Sequence, residues 1–417
     1  MRNHNANHPE VRLARNLKLV GRSDIGGYPN TGEGIAMKFS RDGRRIMYLA
    51  NENPPICFSV LDVTEPSDPR LIWQLPLPHD QVRGNSLTLC GDILLQAYQV
   101  AKPGDHPAGF EVYDVSDAVN PKKIGFFDAS GPHSQGVHFV SFMDGRYAHI
   151  STGAADFEPD NPKDHQFYMI VDMADPTNPK EVGRWWLPGQ RKGDDEKLPP
   201  RHPAPYDFAY RVHHTLCYPE RPDRTYCGWI DGGLVILDIE DKAHPKLVTR
   251  FDYHPPYPGF THTPVPLFDR GLLLVTDEAT GDEGIDWPKR LWIMDIRKET
   301  MPLIIAAAPV PENFEDLHRV GGRIGAHNIH ENEPDEGAAK LTNTVAATWF
   351  SAGLRIYDIR DPYRPEEIAA FLPETPKGQR GCRISDVFVD DRGIVYAMDR
   401  AKGGMYVLEY TGQQPLD

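Results

Sequence analysis

The chain has 417 residues, with 60 acidic against 45 basic side chains and a formal net charge of -15, which argues against general affinity for nucleic acid or an anionic membrane. Apolar residues make up 40% and charged residues 25%, an ordinary globular balance, and no run of eighteen apolar residues marks a membrane span. Gly (36) and Pro (39) are abundant, as suits many short strands joined by turns.

Met1 to Arg15 is polar and lacks the apolar segment of a secretory signal, so a cytoplasmic protein is expected, with residues 1–14 as a tail. The five cysteines (Cys57, Cys90, Cys217, Cys227, Cys382) are odd in number and scattered, without CxxC spacing. They read as reduced thiols filling small apolar places in strands.

A repeat then runs along the chain. FSVLDVTEPSDPRLI, FEVYDVSDAVNPKKI, YMIVDMADPTNPKEV, LVILDIEDKAHPKLV, LWIMDIRKETMPLII and LRIYDIRDPYRPEEI each give an apolar strand, an Asp, a turn, a Pro and a second strand. The aspartates are Asp62, Asp114, Asp172, Asp238, Asp295 and Asp358, and in every copy a proline follows seven residues later. The Asp side chain closes the turn by accepting from nearby amides, and the proline opens an outer strand, where a missing N–H costs least. Arg70, Lys122, Lys180 and Lys246 beside those prolines guard an exposed edge.

The aspartates recur every 52 to 66 residues, room for four strands, and a four-stranded antiparallel unit at that period is a propeller blade. The expected fold is one all-β domain over 1–417, a seven-bladed β-propeller. The seventh copy, GGMYVLEY, stops before its outer strand; NLKLVGRSD (16–24) matches HPKLVTRFD of the fourth copy, so the N-terminal strand completes the last blade and closes the ring. Helix is expected only around 313–319.

The LVILD strand (234–238) followed by the D-x-x-x-P turn resembles the repeat of the LVIVD family of propeller proteins, through six full copies. Many members of that family are similar to cell-surface proteins, and the missing export signal sets this chain apart. A more distant similarity is to the selenium-binding protein and methanethiol oxidase group. Neither resemblance implies a reaction, because a fold does not fix a function.

In a propeller the innermost strands line a central channel, and the loops leading into them emerge on one face. Those loops are long at 187–211, 254–261, 309–326 and 372–384, as are the second-to-third-strand loops at 154–165 and 277–289; binding and chemistry are expected there. Aligned inner strands put a histidine at one repeat position in four consecutive blades: His138 (GVHFVSF), His214 (VHHTLCY), His262 (FTHTPVPL) and His327 (GAHNIHEN). Register leaves His213 as the alternative to His214. Ala36, Asn85 and Asp386 fall near that position in the other blades.

Four imidazoles meeting on the axis suit a divalent metal at about 2.0–2.2 Å from each nitrogen. Fe(II) is the favoured ion, with Mn, Zn or Cu as alternatives; the arrangement, though no motif, is similar to the iron site of the carotenoid-cleaving oxygenases. His330, three past His327, reads as a proton shuttle, and Glu278, Asp386 and Glu331 as general bases, with His133 and His149 weaker than these. His254 and eight other histidines read as loop or surface residues. Arg83, Arg211, Arg323 and Arg383, two to four residues before the channel position, suit a substrate carboxylate, with Asn85 beside them.

No GxSxG elbow, P-loop or HExxH is present, and the Gly-Gly pairs at 232–233 and 403–404 lead into strands, which excludes dinucleotide-type loops. The expectation is a metal-dependent oxygenase acting on a small anionic carboxylate, aromatic ones included. A metal-dependent hydrolase or lyase is the runner-up. A protein-interaction propeller with structural histidines is the reading from another class. The strands leave oligomeric state open, a homo-oligomer included.

Overall fold

The computed structural model describes residues 11–312 and 321–417. The expected helix at 313–319 lies outside the described residues, as do His4, His8 and His318. The structure is all-β: seven antiparallel sheets stand in a ring, with three single-turn 3-10 segments as the described helical structure.

Blade one runs Thr31–Phe39, Arg45–Asn51, Ile56–Asp62 and Arg70–Pro76, and the next four follow the same meander down to Leu303–Ala307. The aspartate of each repeat ends the third strand and accepts from the amide two residues on, at 2.7–3.0 Å in all six copies. That bond reverses the chain so that the residue after each repeat proline starts the outer strand in all six copies, from Arg70 in blade one to Glu366 in blade six.

Leu17–Ser23 pairs with Gly404–Tyr410 and supplies the fourth strand of blade seven, closing the ring as expected. The segment expected as a tail also contributes: Val11–Arg15 pairs with Glu366–Pro373 as an extra outer strand on blade six. The N-terminus thus ties two neighbouring blades. The innermost edge of blade six is irregular, held by bridges from Ile324 to Phe350 and from Ile329 to Ala347.

The core lies between blades. Phe58 and Tyr48 of blade one pack with Leu94, Tyr98 and Tyr113 of blade two, and the same face-to-face packing repeats around the ring. A bulge in the pairing of third and outer strands recurs in all seven blades. In blades two, three and seven a glycine sits there against the next blade's turn: a Cβ on Gly125, Gly183 or Gly21 would lie 2.3, 2.1 or 2.0 Å from a backbone oxygen of Pro176, Lys242 or Pro66. All five cysteines are free.

Below the channel the segment after the inner edge of blade six crosses the axis. The Glu331 carbonyl accepts from Tyr218 of blade four, Asp335 from the Met37 amide of blade one, and Ala339 donates to Val389 of blade seven. The channel is therefore stoppered from below. Because the interblade glycines tolerate no side chain, Gly183→Val is expected to destabilise the fold by about 1–3 kcal/mol, read as a lowered Tm; an unchanged midpoint contradicts the contact.

Candidate metal centre at the channel mouth

The ladder breaks at the start of several inner strands, where the side chains of interest stand. Register shifts fall between Thr31 and Ile35, Val137 and Phe139, Thr261 and Pro264, and Ile384 and Asp386. Such bulges re-aim a side chain that strict alternation would send elsewhere. They turn Glu33, His138 and His262 toward the axis.

Five imidazoles meet there. His138 Nε2 lies 2.7 Å from His213 Nε2, and His213 Nδ1 lies 2.9 Å from His214 Nδ1. Ring centroids of His213 and His262 stand 3.9 Å apart, and those of His262 and His327 4.4 Å apart. The predicted His138, His214, His262 and His327 are thus brought together, with His213 among them. His213 and His214 both face in because their segment carries little ladder: only Thr215–Leu216 forms the inner strand of blade four.

Two carboxylates complete the group. Glu33 Oε1 is 3.2 Å from His327 Nε2 and 3.9 Å from His262 Nε2, and Glu278 lies 3.6 and 3.7 Å from the same nitrogens. The expected all-nitrogen set is corrected: the donors are mixed, and Glu278, expected as a general base, stands as a donor. Glu33 is positioned by the TGEG run. A Cβ on Gly32 would lie 2.3 Å from the Asn85 carbonyl, and one on Gly34 (φ +150°) 2.5 Å from the Leu87 amide, so only glycines let the strand approach blade two this closely. The Glu33 amide then donates to the Asn85 carbonyl at 2.6 Å.

The donor atoms form two overlapping groups, Glu33, His213, His214 and His262, and His262, Glu278 and His327, each with all atoms within 4.8 Å of one another and all buried. Among the described residues His214 Nε2, His262 Nε2, His327 Nε2 and Glu33 Oε2 are buried without a hydrogen-bond partner. The other nitrogens are held: His138 Nδ1 by Gln99 Oε1 at 2.8 Å, His262 Nδ1 by Thr263 Oγ1 at 2.7 Å, His327 Nδ1 by the Ser385 carbonyl at 2.5 Å. Such bonds fix the ring and present the opposite nitrogen, as around bound metals. Burial, with Arg83 or the neighbouring imidazoles, holds His138, His213 and His262 well below the ordinary histidine value, in the neutral form a metal needs. Burial opposes ionisation of Glu33, but the adjacent His327 and the other imidazoles around it hold it well below the carboxylate range.

Around this group the arginines divide. Arg323 reaches Glu278 at 3.3 Å, Arg83 reaches Glu52 at 3.1 Å, and Arg400, which sequence reasoning missed, reaches Glu33 at 3.1 Å. Arg383 departs from expectation: its guanidinium turns to Asp282 at 3.5 Å. Arg211 is bonded to Gln166 and, among the described residues, pairs with no carboxylate. Burial and the neighbouring Arg83 push it down to about 10.

Three other expected site residues serve the framework. His330 Nε2 donates to the Ala339 carbonyl at 2.7 Å and its Nδ1 accepts from the Val389 amide at 3.3 Å, so neither nitrogen is free to shuttle protons. Asp386 accepts from the Gly34 and Val387 amides, and burial with Glu331 nearby raises it to about 6. Asn85 is buried and donates to the His138 carbonyl at 3.5 Å. His149, in the second strand of blade three, is bonded to Tyr168 of the third, and His254, expected as a loop or surface residue, stands in a loop but is buried. Under the cluster an axial cavity of about 30 Å³, room for one or two waters, is lined by His214, Asn328, Glu331, Glu333 and Asp386 among others.

Ala209, Ile230, Phe260 and Phe350 all hold positive φ in the loops above the cluster. Such conformations cost roughly 1–3 kcal/mol each and gather where geometry matters more than stability. The Phe350 ring packs 4.5 Å from that of His327, and Phe260 lies 5.8 Å from His213. Asp231 anchors one of these loops by accepting from the Phe208 and Ala209 amides. Burial raises its carboxyl to about 7. The native state therefore keeps a proton that the unfolded chain releases, a contribution full below about pH 4 and lost as pH rises through about 7. Relative to wild type, Asp231→Asn, which preserves one acceptor for both amides, is expected to gain in Tm from pH 5 to pH 8; a constant difference contradicts this.

The LVIVD repeat model matches the chain at residues 165–186 and 225–253. No curated protein matches it. Among solved structures it is similar to a periplasmic gluconolactonase of Pseudomonas aeruginosa, PpgL (12% identity, TM-score 0.54, 92% of this chain and 97% of that one). It is also similar to a putative 6-phosphogluconolactonase from Bacteroides uniformis (14%, 0.52, 82% and 86%). The β-propeller domain of Cps50 (Swd1) from Myceliophteria thermophila matches to the same degree (14%, 0.52, 90% and 97%). At these identities the likeness is one of fold.

Proposed function

We propose that this chain, a β-propeller carrying the LVIVD repeat, is a metal-dependent hydrolase acting on a small anionic substrate at the mouth of its channel. The reading is carried by His262, His327 and Glu278, whose facing donor atoms are buried together on the axis. A buried polar atom without a partner costs about 1–3 kcal/mol, and the free Nε2 atoms of His262 and His327 are offset when a cation takes both. Two histidines and a glutamate are a hydrolytic zinc set that keeps a position open for water. Held by His262, His327 and Glu278, a divalent ion would lower the pKa of a bound water so that it could attack an acyl or phosphoryl centre near neutral pH.

The chain's own residues then sort by task. Thr263 and the Ser385 carbonyl orient the two imidazoles. Arg323 and Arg400 neutralise Glu278 and Glu33. Arg211, a guanidinium with no carboxylate of its own among the described residues, takes the anionic group of the substrate, with Arg83 beside it. Opening a lactone that bears an acid group is one reaction of this class, and two propellers of like fold carry gluconolactonase names.

The same two-histidine, one-carboxylate set also suits Fe(II) and dioxygen, which keeps the oxygenase as a second reading. Oxygen decides between them. Under the hydrolase reading the metal-loaded protein turns over lactones or esters of small acids equally in air and under argon; strict dependence on oxygen selects the oxygenase. Arg211→Ala is expected to raise KM at least tenfold for an anionic substrate and little for its uncharged analogue, with steady-state kinetics as the check. A protein that binds no metal at the cluster and turns over neither class is a binding propeller.

A further inference from the structure

We propose that the channel mouth holds two metal ions bridged by the carboxylate of Glu33, a deepening of the single-ion reading above and dependent on it. An ion about 2.0–2.2 Å from each ligand keeps any two of its donors within about 4.4 Å. The buried donors form two groups whose atoms lie within 4.8 Å of one another, a few tenths of an ångström wider than that, Glu33 with His213, His214 and His262, and His262 with Glu278 and His327. The two groups share only His262.

His262 has one nitrogen to give, because its Nδ1 is 2.7 Å from Thr263 Oγ1. That free Nε2 lies 3.7 Å from Glu278, with the His327 ring adjacent at 4.4 Å between centroids. Assigned there, His262 completes one triad with Glu278 and His327 and still leaves three donors, Glu33, His213 and His214, for a second ion.

Glu33 is placed to serve both. Its Oε1 is 3.2 Å from His327 Nε2, beside the first triad, while its Oε2 is buried with no hydrogen-bond partner among the described residues. The four unpartnered donor atoms divide evenly: His262 Nε2 and His327 Nε2 on one side, His214 Nε2 and Glu33 Oε2 on the other. Glu331 Oε1, 3.2 Å from His214 Nε2, brings a further carboxylate to the second side. A carboxylate giving one oxygen to each of two ions holds them about 3.5–4 Å apart, the spacing at which a pair clamps both the attacking and the leaving oxygen of a displacement. Two divalent ions facing these carboxylates leave a positive site, in keeping with an anionic substrate.

The test is loading of the full-length protein with Mn²⁺, read by elemental analysis and low-temperature EPR, with circular dichroism to confirm that each variant is folded. Wild type is expected to bind two Mn²⁺ per chain with an exchange-coupled spectrum. Glu278→Gln is expected to retain about one, with the uncoupled six-line signal, and Glu33→Gln to lose the coupling. One Mn²⁺ per wild-type chain, uncoupled, overturns the two-ion centre and leaves the hydrolase reading standing. Binding of neither Mn²⁺, Zn²⁺ nor Fe²⁺ removes both.

Discussion

Everything at the channel mouth depends on one backbone ladder, the pairing of Leu17–Ser23 with Gly404–Tyr410. Each sheet buries its faces only against its neighbours, so the ring has no free-standing blade, and an unpaired Gly404–Tyr410 would expose an apolar edge. Once closed, the ring fixes the starts of the inner strands at a common radius from the axis. Donors separated by up to 294 positions, from Glu33 to His327, then lie within a few ångströms. Val11–Arg15 continues the same segment onto blade six and couples closure to the blade that carries His327.

The charge pattern follows from that convergence. Five imidazoles and two carboxylates packed out of water are costly unless matched, and the fold matches only part of the set. Arg400 and Arg323 offset the two glutamates, while Thr263, Gln99 and the Ser385 carbonyl hold one nitrogen of each of three rings. The opposite nitrogens of His262 and His327 are left without a hydrogen-bond partner among the described residues. Buried His and Glu donors this close together, several of them without a partner, form a group that could hold a cation. The positive-φ residues Phe260 and Phe350, held in the loops that roof the site, place aromatic walls beside those donors.

The repeat was legible because its chemistry is local: an Asp that bonds the amide two residues on, and a Pro that starts an edge strand, leave the same mark in every copy. Ring closure was legible from the likeness of NLKLVGRSD to HPKLVTRFD, whereas VRLAR before it resembles no repeat strand, so its place on blade six was not. His138, His262 and His327 followed from alignment of inner strands. Glu33 did not, because counting alternation through Thr31 to Ile35 crosses a break in the ladder and points to Ala36; the glycines on either side of Glu33 were the available signal. Arg400 follows the second strand of blade seven and reaches Glu33 only through closure of the ring, a contact between residues 367 apart. Arg383 shows the converse, a correct position in the repeat with a side chain claimed by Asp282.

Anomalous diffraction from crystals grown with saturating Mn²⁺ or Zn²⁺ tests the central claim most directly. The account predicts a peak on the channel axis about 2.0–2.2 Å from Nε2 of both His262 and His327. Crystals that show ordered water there and no anomalous signal, with the imidazoles hydrogen-bonded to one another, would contradict it.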